Sequence, residues 1–342
     1  MRHLARLTLI LALAGCQQTL HLYETTHDAA VSAAGGQSGK AGTGGSPFDG
    51  GSYDGHCNGA GTALTVTPDN PKMAIVLDRS TSMNQSFNGS QSQSQLIAAL
   101  TALDAQVGAY QPPRPTISFF FVDFPSEDPS ACAGQSSCCA SSVRTDWAMF
   151  KQKVSLCATS SSCASSDNRP TKDALATAET ALMNAGGQVG QRYILLITDG
   201  EPGGQCATPD DCDAFISEIG TLTDARLSII TLPNDPRNLD CFNYATFTPP
   251  QPVSDATGLA GAVSAFMQSA ACNATLSPAP PPGADLHVTF GPDNAPINPD
   301  RANGWSYDGS GRFRLRGTAC SNQVAQSGWS TLKVSLGCGS GH

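Results

Sequence analysis

Apolar and polar positions follow two rhythms along this chain. Between residues 57 and 273, four short runs are almost uniformly apolar: Met73–Leu77, Ile117–Val122 ("ISFFFV"), Tyr193–Ile197 ("YILLI") and Leu227–Leu232 ("LSIITL"). Short runs without alternation predict strands buried on both faces. Between them, apolar residues recur at helical spacing: Leu96, Leu100, Leu103 and Val107, then Trp147, Phe150 and Val154, then Leu175, Ala178 and Leu182. Two more helices are predicted, over about 210–224 and over 255–271. Buried strands alternating with amphipathic helices predict an α/β class fold: a doubly wound, mostly parallel, Rossmann-like sheet with helices on both faces. Ligands of such sheets sit at the carboxyl ends of the strands.

The rhythm changes after "SPAPPPGA", which falls in a Pro-rich linker, 274–284. Leu286, Val288 and Phe290 alternate with polar residues, as do Leu332, Val334 and Leu336. Phe313 and Leu315 alternate with Arg312, Arg314 and Arg316. Period two predicts a small C-terminal all-β unit over 285–342. The three arginines read as the solvated face of one strand, with anion binding or docking as the other reading.

Residues 1–16, "MRHLARLTLILALAGC", place Arg2 and Arg6 before an apolar run, Leu7–Ala14. That is an export-signal layout, too short for a membrane span. Its end, Leu13-Ala14-Gly15-Cys16, resembles the lipobox of bacterial lipoproteins. The resemblance implies cleavage before Cys16, acylation of its thiol, and a lipid-anchored place in the bacterial cell envelope. Gln17 after that cysteine points to the outer membrane, by analogy with lipoprotein sorting. Residues 17–56 are Gly/Ser-rich and too poor in apolar groups to fold. They read as a flexible tether with a mean span of about 35 Å. The expected membrane contact is through the anchor only.

Net charge is -9 and only 14% of residues are charged. Nucleic acid is excluded as a partner, because phosphate binding needs clustered Lys and Arg. Of 13 cysteines, 12 remain beyond Cys16, enough for up to six disulfides in an exported chain. With no C-x-x-C, small stapled loops are favoured over zinc. Cys206 and Cys212 flank a loop after Asp199 and are expected to stiffen it. Cys57 and Cys272 are expected to clasp the ends of the α/β domain, and Cys320 and Cys338 to clip the β unit. Cys132, Cys138, Cys139, Cys157 and Cys163 are assigned to long loops without pairing.

Two strand ends carry the chemistry. "MAIVLDRSTSM" empties a buried strand into Asp78-Arg79-Ser80-Thr81-Ser82, and "YILLITDGEP" ends another in Asp199-Gly200. A D-x-S-x-S loop and a later T-D-G on an α/β scaffold resemble the von Willebrand factor type A domain, over residues 57–273. The resemblance implies a metal-ion-dependent adhesion site. Mg²⁺ or Mn²⁺ would be held directly by Ser80 and Ser82, with Asp78 and Asp199 completing the site. One position would stay open for a carboxylate of a protein partner. The chemistry is consistent, since Mg²⁺ takes six oxygens at about 2.1 Å.

The family adds a ligating threonine from a T-x-T-x-x-(A/G)-(L/I) segment. The matching stretch is Arg169-Pro170-Thr171-Lys172-Asp173-Ala174-Leu175. Arg169 stands at the ligating position and Thr171 at the second threonine. Three outcomes are open. The guanidinium neutralises both carboxylates and excludes the ion; the loop shifts and Thr171 ligates; or Arg169 swings outward. The expected function is non-enzymatic: a lipid-anchored binding or adhesion module recognising an acidic group on a protein partner through a divalent cation. The alternative is a metal-free envelope scaffold with Arg169 in the site. No G-x-S-x-G or H-E-x-x-H occurs, and no His lies near these motifs.

Overall fold

The run at Met73 becomes the centre of β2 (Lys72–Asp78) in the computed structural model. The structure describes residues 62–87, 94–110, 117–126, 138–159, 168–186, 191–203, 212–222, 225–233, 241–242, 249–300, 302–326 and 328–337. The signal and tether, and Cys57, Cys206 and Cys338, lie outside the described residues. All described residues fall within one compact unit, Gly55–His342.

Five parallel strands form the first sheet, in the order β3 (Ser118–Phe124), β2, β4 (Arg192–Thr198), β5 (Ala225–Thr231) and β6 (Gln251–Pro252). Its helices are α1 (Gln95–Ala109), α2 (Trp147–Thr159), α3 (Thr171–Asn184), α4 (Cys212–Thr221) and α5 (Ala256–Ala271). Alternation along β2 explains why the run is uniformly apolar. Met73, Ile75 and Leu77 join the cluster under α1 and α5, whereas Ala74 and Val76 join the cluster under α3 and α4. Polar caps fix helix starts: the Ser94 side chain accepts from Ile97 N, and Asp255 Oδ1 accepts from Gly258 N at 2.7 Å. The chain passes from β2 to β3 on one side, then crosses to β4 on the other. That reversal opens a crevice at the carboxyl ends of β2 and β4.

The predicted α/β class and its four buried strands are present, but the β unit is not C-terminal alone. Seven antiparallel strands follow the order β10 (Trp305–Tyr307), β11 (Arg312–Leu315), β7 (Asn273–Ser277), β1 (Thr62–Pro68), β12 (Leu332–Leu336), β8 (Leu286–Phe290) and β9 (Ala295–Ile297). β1 precedes the parallel sheet in sequence, and β7 occupies the start of the stretch assigned to a linker. The physical reason is burial. Leu64 of β1 and Ala274 and Leu276 of β7 enter the same apolar cluster as Leu286, Val288, Phe313, Leu315, Leu332 and Val334, shared with α1 and α5. A final helix, α6 (Gly317–Gln326), packs against α5.

The disulfides correct three expected pairings. Cys272 bonds Cys320 rather than Cys57, so Cys320 is not paired with Cys338. Leu315 N donates to Cys272 O at 2.9 Å, which brings the start of α6 beside the end of α5. Cys212 bonds Cys241, 29 residues on, rather than closing a short loop with Cys206. Cys138, Cys139 and Cys157 are also disulfide-bonded, and Cys157 lies in α2 rather than in a loop.

A shared core means the α/β half does not stand alone. A chain ending at Ala271 removes both neighbours of β1 and most of the apolar groups on the antiparallel sheet. Each such group contributes about 1.5–3 kcal/mol by burial, so their sum exceeds a typical net stability of ~5–15 kcal/mol. Such a chain is expected to show no cooperative urea transition. A sharp transition with the full chain's midpoint would mean that the two sheets fold separately.

Candidate metal centre

Asp78 ends β2 and Asp199 follows β4, so adjacent parallel strands deliver two carboxylates to one crevice. Both carboxylates have no solvent exposure. Asp78 Oδ1 accepts from Ser80 N at 2.7 Å, which turns the chain sharply after the strand. Arg79 N donates to Phe124 O at 2.7 Å, and Arg79 Nε pairs with Asp123 Oδ2 at 2.7 Å. Ser141 and Lys153 also bond Asp123. The loop is thereby anchored to the end of β3.

The hydroxyls form a directed chain. Ser82 Oγ donates to Asp199 Oδ1 at 2.9 Å. Its single proton is then committed, so Ser80 Oγ donates to Ser82 across 3.0 Å. Arg169 Nη2 also donates to Ser82 Oγ, at 2.6 Å. The same nitrogen lies 3.3 Å from Asp199 Oδ1, and Arg169 Nε lies 3.4 Å from Asp78 Oδ2. Arg169 thus spans both carboxylates, the first of the three outcomes left open by the sequence. Its backbone is held to the loop beyond Asp199: Arg169 N donates to Gly203 O at 2.6 Å, and Gly203 N returns a bond to Arg169 O at 3.3 Å.

Thr171 does not reach the cluster by any hydrogen bond in the structure. It is the first residue of α3, fully buried, and its Oγ1 donates to Arg169 O at 3.3 Å. Two participants were missed by the sequence reading. Thr198 Oγ1 donates to Asp78 Oδ2 at 2.6 Å and accepts from Gly200 N at 3.3 Å. Gly200 leaves the space that the guanidinium fills, since a Cβ there would lie 2.8 Å from Arg169 Cζ. The T-D-G triplet was the available signal for both.

Burial raises the Asp78 carboxyl above the ordinary carboxylate range, opposed by Arg169. Burial, then the nearby Asp78 charge, pushes Asp199 up to about 6, again opposed by Arg169. A divalent ion fits the oxygens but not the guanidinium. Cis ligands of an octahedral Mg²⁺ stand about 3.0 Å apart, close to the 3.0 Å and 2.9 Å steps from Ser80 through Ser82 to Asp199. An ion bonded to those oxygens would bring a second cation to Ser82 Oγ and Asp199 Oδ1, which Arg169 Nη2 already holds at 2.6 Å and 3.3 Å. With Arg169 in this position, the residues do not fit a metal ion.

No known family's sequence profile matches the chain, and no curated protein matches it. Solved structures do. The pilus adhesin SpaC from Lactobacillus rhamnosus GG matches over 78% of this chain and 40% of its own, at 12% identity and TM-score 0.48. A von Willebrand factor type A protein from Catenulispora acidiphila matches over 81% and 63%, at 14% identity and TM-score 0.42. The manganese-loaded TRAP protein of Plasmodium vivax matches over 80% and 95%, at 13% identity and TM-score 0.40. This chain therefore spans under half of the adhesin's length. Likeness at these levels decides nothing about the site. Strand order and the position of both acidic loops agree with the doubly wound α/β sheet expected from the sequence.

The raised Asp199 pKa has a signed consequence. The folded state holds this proton up to about pH 6, whereas an unfolded aspartate releases it near 3.8. The protonated group stabilises the fold fully below about pH 4, and that contribution is lost as pH rises through 6. Asp199→Asn keeps an acceptor for Ser82 and Arg169 without the charge. It is expected to raise the thermal midpoint at pH 7–8 and to flatten its dependence between pH 4 and 6. A lower midpoint at pH 8 contradicts this assignment.

Proposed function

We propose that this protein is a lipid-anchored binding module of the bacterial cell envelope, acting at the carboxyl-end loops of its parallel sheet, and that its adhesion-type site is closed by Arg169 instead of by a divalent cation. The supporting observation is the guanidinium that donates to Ser82 and lies against both Asp78 and Asp199. It supplies from within the chain one of the two positive charges that a divalent metal would bring, and the hydroxyl chain is already satisfied without an ion. The backbone of Arg169 is tied to the loop after Asp199, so the closed form also fixes the loops that would face a protein partner. Neither serine has an imidazole base among its hydrogen-bond partners, and we read the module as non-catalytic.

A second reading rests on charge. Two carboxylates and one guanidinium leave a formal deficit of one positive charge, which a divalent cation would over-fill. If Arg169 swings out, Asp78, Ser80, Ser82 and Asp199 present the oxygen set of a cation site that accepts an acidic group from a partner.

Calorimetric titration of Mg²⁺ and Mn²⁺ separates the readings. Wild type is expected to show no binding, and Arg169→Thr is expected to bind, because a threonine frees the space and restores an oxygen. Adhesion to envelope fragments should then persist in EDTA for wild type. Binding by wild type that is lost in Asp78→Ala establishes the cation-dependent reading instead.

A further inference from the structure

The outer face of the antiparallel sheet carries a charge pattern that the central site does not use. Phe313 and Leu315 of β11 enter the core, so Arg312, Arg314 and Arg316 project from the other face. Groups two residues apart on a strand stand about 7 Å from each other. Across the sheet, Arg312 sits opposite Thr275, which sits opposite Thr67, and Arg314 sits opposite Asn273 and Ser306. Thr67, Thr275 and Ser277 are exposed.

A fourth guanidinium extends the array onto the parallel sheet. Arg226, near the start of β5, stands 5.9 Å from the centre of the Tyr193 ring. The Tyr193 hydroxyl accepts from Asn273 Nδ2 at 3.4 Å, and Arg314 Nε donates to Asn273 Oδ1 at 2.6 Å. Arg226, Tyr193, Asn273 and Arg314 are thus contiguous. Burial, then the charge of Arg226, holds Arg314 below the ordinary arginine value. One carboxylate, Asp69, faces Arg312 and Arg314, and burial raises its own pKa despite their pull. Asp308 Oδ1 also accepts from Arg312 N at 3.1 Å, yet the charges of Arg226, Arg312 and Arg316 all press on Arg314, so positive charge is concentrated here on a chain of net charge -9.

We propose that this face binds a polyanionic glycan, a carbohydrate polymer bearing carboxylates at regular intervals. A guanidinium meets a carboxylate in two parallel hydrogen bonds. The exposed threonine and serine hydroxyls on the strands beside Arg312 match sugar hydroxyls. The large apolar side chains exposed among the described residues, Met149, Leu156 and Met183, lie on α2 and α3. This face therefore offers no apolar anchor of the kind that a membrane surface or a protein interface core uses. Tyr193 and Arg226 stand at the amino ends of their strands, with Asp199 beyond the carboxyl end, so the two sites are separate.

Polygalacturonate titrated into the full chain is the direct probe, with poly-glutamate and phosphatidylglycerol vesicles as the other arms. Polygalacturonate is expected to bind, more weakly as salt rises. The double variant Arg226→Gln/Arg312→Gln is expected to lose about tenfold in affinity, the order for two exposed charge contacts. Thr275→Glu, which leaves all four arginines in place, is expected to weaken binding in the same direction. Arg169→Thr is expected to leave it unchanged, whatever its effect on metal. The proposal is overturned if polygalacturonate does not bind, if both charge variants bind as wild type does, or if poly-glutamate or the vesicles bind equally well or better.

Discussion

Two carboxylates buried at the ends of neighbouring parallel strands cannot both stay ionised without a cation between them. In this protein the cation is covalently part of the chain. Burial and mutual repulsion drive Asp78 and Asp199 toward their protonated forms, and Arg169 opposes that drive. The surrounding details follow from this need. Gly200 lacks a side chain where the guanidinium lies, Ser82 turns its one proton to Asp199, and Thr198 turns its proton to Asp78. A buried ion network is weak evidence of stability, because desolvation offsets much of the attraction. What it does here is hold three loops, from β2, β4 and the start of α3, in one arrangement.

A second constraint comes from how the chain enters and leaves the parallel-sheet half. β1 and β7 flank that half in sequence and pair with each other in register, Thr65 opposite Ser277 through Pro68 opposite Ala274. The α/β elements are thus inserted between adjacent strands of an antiparallel sheet. Cys272–Cys320 closes the junction by joining the end of α5 to α6. Charge is segregated over the same frame. The acidic pair lies at the carboxyl ends of β2 and β4, and the arginine face lies toward the amino ends of β4 and β5. The two proposed binding faces therefore lie at opposite ends of one sheet.

Much of this was legible in residue patterns. Uniform apolar runs marked β2, β3, β4 and β5, because a strand covered on both faces has no polar side to display. Helical spacing marked α1, α2 and α3, and helices were also expected where α4 and α5 lie. β1 was passed over although "TALTVTP" alternates, since nothing local says which distant strand it would pair with. β7 was hidden by the prolines that follow it. Cysteine pairing failed for the same reason: Cys212 with Cys241 and Cys272 with Cys320 are neighbours only after the sheets assemble.

At the site, the sequence by itself determined the chemical inventory: Asp78, Ser80, Ser82 and Asp199 at strand ends, and an arginine where a ligating threonine is expected. It determined these because strand ends and turn residues are encoded by neighbours in the chain. It could not decide among three positions for the arginine side chain. That choice depends on a glycine thirty-one residues away and on a backbone bridge to Gly203. Only the tertiary structure, by setting which groups share a buried space and which charges must neutralise one another, placed the guanidinium between the two carboxylates.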